Sequence, residues 1–178
     1  MFAMKKLLVA LLVLLTTSLS TLPTFAIPDT ETKTAGERQE LSEADILKIC
    51  KWYITTLPSD DPEITELRMA ASTAIIRYTV ETKKFTIQFG GIASKTLGIG
   101  SKNSIPDLLM VYIAGEVIYL LEHNLSSNNA DSFAAAMDDV MNFYTKLPKQ
   151  SIKSLGKYIK MDSSQRHEAF IKLYNDNK

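Results

Sequence analysis

The feature that most constrains this chain is an apolar stretch from Leu108 to Leu121. Its fourteen residues are apolar on every side of a helix, apart from Gly115, Glu116 and the tyrosine hydroxyls. A helix that is apolar all round must be enclosed by other elements, because no side of it can face water at low cost. It is also shorter than the ~20 residues needed to cross a bilayer. The stretch therefore predicts a central core helix over 105–122.

Helical spacing of apolar residues predicts five further helices, whose ends are marked by capping residues or prolines. Ser104 and Asp107 predict a capping box at the start of the central helix. Residues 84–89 alternate between polar and apolar, which is typical of a strand, and we expect them either to lie extended on the helices or to pair near 97–99. The fold class predicted is all-α: a single domain over 42–178, built as a compact bundle of about five to six helices. The five helices around the central one are predicted over 42–57, 62–81, 130–147, 150–160 and 164–174.

The amino terminus has the layout of a secretory signal. Two lysines precede nine consecutive apolar residues, 7–15, and a polar stretch follows them. Nine apolar residues are too few to span a bilayer, so residues 1–26 predict a signal peptide that is cleaved after Ala26 or at the earlier Ser20. We therefore expect an exported protein, periplasmic or secreted, with no transmembrane anchor after cleavage. Residues 27–41 are polar and aperiodic, and predict a flexible leader.

Charge is balanced overall but unevenly distributed. Twenty Lys plus Arg face twenty Asp plus Glu, and this balance argues against nucleic-acid binding. Residues 146–178, in contrast, carry eight Lys or Arg and three acids. This basic tail predicts either a solvated face or a contact with an anionic surface, such as lipid headgroups, a polyanionic glycan or an acidic protein. Helical spacing would place four lysines opposite the apolar side of the predicted helix 150–160: Lys149, Lys153, Lys157 and Lys160.

Glu116 is the one acid within the central apolar helix, which makes it a possible functional acid. A carboxyl group taken out of water has a raised pKa, as general acids do. Catalysis would require a second titratable group beside it. The interpretation that we favour is that Glu116 reaches water at the helix edge or pairs with a lysine.

Metal and nucleophile chemistry has little support in the sequence. The two histidines, His123 and His167, lack the spacing of a metal motif. A metal site could still combine His123, Glu122 and His167 across the fold, but we predict no metal and no cofactor. The single Cys50 lies on an apolar helix face, which predicts a buried thiol.

Three segments, 104–115, 119–122 and 140–144, carry a resemblance to a known family. The first contains Pro106-Asp-Leu-Leu-Met110 and the last contains Asn142-Phe-Tyr144. They resemble small exported helical proteins of unknown function from Bacteroidetes-type bacteria. That resemblance implies export and a helical fold, and it implies no activity. Glu116 departs from the family's central helix, which is apolar or aromatic at this position.

The function predicted from these observations is a non-catalytic binding or interaction module of the cell envelope. No nucleophile, base and oxyanion donor can be grouped from the sequence, so we do not expect an enzyme. The partner would be another envelope protein or an anionic surface. The alternative is a small hydrolase-like or metal-dependent enzyme that uses Glu116, or His123 and His167.

Overall fold

Seven helices form the described part of the chain. The structure is a computed structural model that describes residues 41–102, 104–149 and 151–177. The predicted signal and the predicted leader, apart from Leu41, lie outside these residues. Residues Glu43–Lys178 form one compact unit. Within the described residues, this unit has no strand, and its helices are α1 Glu43–Thr55, α2 Pro62–Glu81, α3 Gly91–Thr96, α4 Pro106–Glu122, α5 Ala130–Tyr144, α6 Lys153–Gly156 and α7 Ser163–Asn175.

The predicted apolar helix is α4, and it is the centre of the bundle. It packs mainly against α5 and α1 and touches α2, while α7 packs on the far side of α5. The all-α bundle around a central apolar helix is thus confirmed. Among the described residues, no helix combines the length and the apolar character needed to cross a membrane. The buried residues of α4 are Leu108, Val111, Tyr112, Ala114, Gly115, Glu116, Val117 and Leu120.

Gly115 allows α4 and α5 to approach closely. A Cβ atom at this position would lie 2.8 Å from the Cα atom of Ala136 and 3.0 Å from a carboxylate oxygen of Asp139. These distances leave no room for any side chain at position 115. The only glycine of the central helix therefore lies where the two core helices cross.

The start of α4 differs from the predicted capping box. Ile105 is the residue that precedes the helix, and no side chain caps it. The Asp107 side chain instead accepts hydrogen bonds from Tyr53 and Arg68. Arg68 also donates to the carbonyl oxygens of Tyr53 and Thr56, at the end of α1. Through these hydrogen bonds Asp107 on α4 is joined to Tyr53 on α1 and to Arg68 on α2. Helix α1 ends at Thr55 rather than at the predicted residue 57.

Residues 84–89 form neither a helix nor a strand, and they do not pair near 97–99. Thr86 forms a single parallel bridge with Ser127, and its N–H donates to the carbonyl oxygen of Ser126 at 2.9 Å. Residues 97–99 instead end the short helix α3, which the sequence did not predict. Gly98 adopts a φ of 66°, the left-handed conformation that closes a helix.

The predicted helix 150–160 is wrong in length. Only α6, a single turn, is helical, and the chain around it winds in turns that anchor Ile152, Leu155 and Tyr158 in the core. Successive hydrogen bonds join residues three apart, from Leu155 to Ile152 and from Tyr158 to Leu155. A repeat of three residues per turn places every third side chain on the same side of the chain. Burial of Ile152, Leu155 and Tyr158 in the core therefore favours these tight turns over a regular α-helix. Helix α5 also ends three residues before the predicted 147.

Candidate functional site

Glu116 is completely buried, with none of its surface exposed to solvent. The Tyr112 hydroxyl donates a hydrogen bond of 2.6 Å to Oε1 of Glu116. Oε2 is buried and has no hydrogen-bond partner among the described residues. The prediction that Glu116 reaches water or pairs with a lysine is therefore wrong. The helix that carries it is enclosed on this side by α5, so the side chain has no route to the surface.

Burial raises the pKa of the Glu116 carboxyl above its ordinary value. The hydrogen bond from Tyr112 and the nearby side chains of Ser132 and Asn128 oppose this rise, but desolvation is the larger effect. No hydrogen bond joins Ser132 or Asn128 to Oε2; the Ser132 hydroxyl donates to the carbonyl oxygen of Asn129, and the Asn128 amide donates to that of Gln88. A carboxyl group in these surroundings favours the neutral, protonated form.

The segment 84–89 lies beside this buried group. The Asn128 side chain accepts from the N–H of Gln88 at 3.0 Å and donates to its carbonyl oxygen at 3.1 Å. Phe89 packs edge-on against the Tyr112 ring, with 5.8 Å between ring centroids. A substrate cannot contact Glu116 in this arrangement, because the carboxyl is sealed from solvent. The geometry therefore supports a structural role for Glu116 more than a catalytic one.

Asp139 is a second perturbed acid that the sequence analysis did not single out. It lies on α5 against Gly115, and burial raises the pKa of its carboxyl to about 6, with smaller contributions from Asp138 and Glu122. Helical spacing in the sequence could have indicated the partial burial of Asp139, because it follows the inward-facing Ala136 by three residues and so lies on the same side of the helix.

The histidines have separate partners. His123 stacks on the Tyr119 ring with 3.9 Å between centroids, and its ring Nδ1 lies 2.9 Å from the Tyr119 carbonyl oxygen. His167 Nδ1 lies 2.7 Å from Asp138, which also accepts a 2.8 Å hydrogen bond from Arg166. The structure does not bring His123, Glu122 and His167 together, as a metal site built from them would require. No group of three His, Cys, Asp or Glu side chains suited to a metal occurs within the described ranges.

Two lysine-bearing segments without acids pack against each other. Residues 90–106 and 145–161 contain no Asp or Glu. The Ser154 hydroxyl donates to the carbonyl oxygen of Thr96 at 2.7 Å, which joins the two segments. We call their exposed lysines the basic region: Lys95, Lys102, Lys146, Lys149, Lys153, Lys157 and Lys160.

All seven lysines of the basic region are exposed, and none makes an ion pair with another described residue. Lys157 lies over the Tyr158 ring, with 4.6 Å between Nζ and the ring centroid. The four lysines predicted from the carboxyl-terminal tail are thus exposed, although they do not share one helix face. The segment that carries Lys95 and Lys102 meets the carboxyl-terminal lysines only through the contact between Ser154 and Thr96. No local sequence pattern predicts that these two segments lie together.

A cleft of about 310 Å³ opens between α2 and the start of α4. Arg68 and Asp107 form an ion pair at its base, and the Arg68 guanidinium lies 4.1 Å from the centroid of the Tyr53 ring. The Arg68 guanidinium also donates to the carbonyl oxygens of Tyr53 and Thr56, so it stabilises the junction of three helices. We therefore assign the Arg68–Asp107 ion pair a structural role and not a ligand-binding one.

Comparison with known proteins finds no match: no family model fits this chain, and no curated protein or solved structure is similar to it. The chain's own chemistry is therefore the basis for assigning a function. The lysines of the basic region are exposed and form no ion pair with another described residue, whereas the Glu116 carboxyl is sealed from solvent and the Arg68 guanidinium is hydrogen-bonded within the fold. Among the described residues, the basic region is the best candidate for contact with a partner.

Proposed function

We propose that the protein is an exported, non-catalytic binding module of the cell envelope that attaches to anionic phospholipid headgroups. The observation that carries the proposal is the contact between two acid-free segments that together expose seven lysines. Each Lys near an anionic membrane surface contributes about 1 kcal/mol of attraction. A concentration of cationic side chains without acids is therefore sufficient for reversible attachment.

Two exposed apolar side chains favour a lipid surface over a soluble polyanion. Ile99 is 41% exposed and Ile159 is 39% exposed, and each lies between lysines of the basic region. Basic and apolar side chains together are typical of proteins that lie on a membrane interface. A purely polar glycan would gain nothing from the two isoleucines.

Export is supported by the layout of residues 1–26, in which two lysines precede a short apolar run and a small-residue cleavage site. Export would place the basic region where envelope lipids are accessible.

The test is co-sedimentation of the exported chain with vesicles that contain either anionic or only zwitterionic phospholipid. We expect binding to the anionic vesicles, and loss of that binding at high salt because screening shortens the reach of exposed charges. The triple substitution Lys153→Gln, Lys157→Gln and Lys160→Gln should weaken binding by up to roughly 100-fold.

The matched control is Lys48→Gln, Lys51→Gln and Lys172→Gln, which removes the same charge from exposed positions outside the basic region. This control should bind almost as well as the wild type. Equal binding to zwitterionic vesicles, or equal loss in both triple variants, would contradict the proposal. Binding to a sulfated polysaccharide without any binding to vesicles would also contradict it.

A further inference from the structure

The outer side of α2 exposes large apolar side chains to solvent. Val80 is 79% exposed, Met69 is 62% exposed and Ile76 is 47% exposed. Thr73 lies between them on the same side and is also exposed. These four residues form what we call the α2 stripe. An exposed apolar strip on a helix is typical of a contact surface.

The α2 stripe follows the heptad spacing of a coiled coil. Counting in sevens, Glu66, Thr73 and Val80 occupy one core position. Met69 and Ile76, each three residues further on, occupy the other, while Lys83 lies beyond the end of α2, after the extended residue Thr82. The seam therefore has an apolar centre, an acid at its amino-terminal end and a lysine just beyond its carboxyl-terminal end. All six residues are exposed.

This seam is complementary to itself in the antiparallel direction. In an antiparallel pair of helices, each residue of one core position faces a residue of the other position on the second helix. Met69 would then face Val80 of the second copy, and Thr73 would face Ile76. At both ends, Glu66 would lie near the carboxyl-terminal end of α2 in the second copy, which Lys83 follows, so the symmetry brings opposite charges together twice.

The parallel arrangement is disfavoured by the same charges. It would bring the two Glu66 side chains together at one end and the two Lys83 side chains together beyond the other, and like charges repel. The side chains that flank the seam are mostly small or hydroxylated, among them Ala70, Ser72 and Thr79. Small flanking residues allow two helices to approach closely.

We infer that the occupant of the α2 stripe is a second copy of this chain, bound through antiparallel packing of α2 on α2. Both the residue spacing and the charge pattern are self-complementary about a two-fold axis, as a symmetric dimer requires. The seam is shorter than the three to four heptads of a stable coiled coil. We therefore expect a dimer whose population depends on protein concentration.

The experiment is sedimentation velocity of the exported chain across the micromolar concentration range. The wild type should shift from monomer to dimer as concentration rises. Ile76→Glu should remain monomeric, because it places a charge in the centre of the seam. Val80→Glu gives the same test at a more exposed position, should Ile76→Glu fail to fold. Circular dichroism verifies the helical content of each variant.

A charge exchange tests the direction of packing. Glu66→Lys and Lys83→Glu should each weaken dimerisation by about tenfold, because each places like charges together twice in the dimer. The double variant, Glu66→Lys with Lys83→Glu, should recover most of the wild-type dimerisation. Glu168→Lys, an exposed position on α7, is the matched control and should dimerise as the wild type does.

Two results would overturn the inference. One is a monomer at every concentration, whatever else covers the α2 stripe. The other is a dimer that the Ile76 and Val80 variants leave intact, or whose charge exchange fails to recover, because the contact would then lie elsewhere or run in another direction.

Discussion

At the scale of single residues, the most informative side chain is Glu116. Its burial was not foreseen, because a lone acid in an apolar helix more often reaches the surface or finds a cation. The sequence shows that the acid is present, but only the packing of α5 against α4 shows that it has no exit. A carboxyl group with one tyrosine partner and one unpartnered oxygen is a cost to folding whenever it is ionised.

The first prediction concerns Glu116→Gln and the pH dependence of stability. The folded-state pKa of Glu116 is raised. Below its ordinary pKa, both folded and unfolded chains are protonated, so the group has little effect. As the pH rises toward the folded-state pKa, the unfolded chain loses its proton first, and the wild-type free energy of unfolding decreases. The variant lacks this decrease. Urea denaturation at mildly acidic and neutral pH should show its stability rising relative to that of the wild type.

Two further variants make this measurement specific. Glu168→Gln removes an exposed carboxyl and should follow the wild-type pH profile. Asp139→Asn should change the profile with the same sign, but its effect should level off above pH about 6, where the Asp139 carboxyl is ionised in both states. If the profiles of Glu116→Gln and wild type are parallel, Glu116 does not have a raised pKa.

At the scale of secondary-structure elements, the crossing of α4 and α5 determines how the core is built. Gly115 has its counterpart in Ala136 on α5, and the two small residues allow the helix backbones to meet. The sequence predicted both helices, but it did not pair these positions, because the register between two helices depends on the shapes of both surfaces.

The second prediction is that Gly115→Ala destabilises the fold, although alanine is the better helix former. The added Cβ atom would meet the Ala136 backbone at 2.8 Å, so the helices must separate. Overpacking of this kind costs typically 1–3 kcal/mol. Thermal or urea denaturation measures the loss. Gly91→Ala is the control, since no atom lies within 4 Å of a Cβ at that position, and it should leave stability nearly unchanged.

At the scale of the whole molecule, a positively charged surface and a mainly apolar surface lie on separate elements. The basic region lies on residues 90–106 and 145–161 and is positively charged, whereas the α2 stripe consists of three apolar side chains and Thr73. Attachment to a surface and self-association could therefore operate together, and they should respond differently to ionic strength.

The third prediction follows from that difference. Raising the salt concentration should strongly weaken binding to anionic vesicles, because exposed charges are screened within about a Debye length. The same change should alter dimerisation only slightly, since four apolar or small side chains form most of its seam. Vesicle co-sedimentation and sedimentation velocity in matched buffers compare the two. Equal salt sensitivity would contradict the assignment of separate surfaces.

Local patterns determined much of this protein. The apolar stretch that became α4 and the bounds of α2, which is helical over Pro62–Glu81 as predicted, depend on neighbouring residues, so they could be predicted from the sequence. The exposure of four lysines in the basic tail was predicted for the same reason.

Tertiary structure decided the rest. The packed helices exclude solvent from Glu116. The Asp107 side chain forms an ion pair with Arg68 and does not cap α4. Turns that bury Tyr158 stand where a longer helix was predicted. Tertiary structure also brought Lys95 into the neighbourhood of the carboxyl-terminal lysines. Each of these outcomes depends on residues far apart in the chain, and the energy of such contacts exists only once the helices have packed.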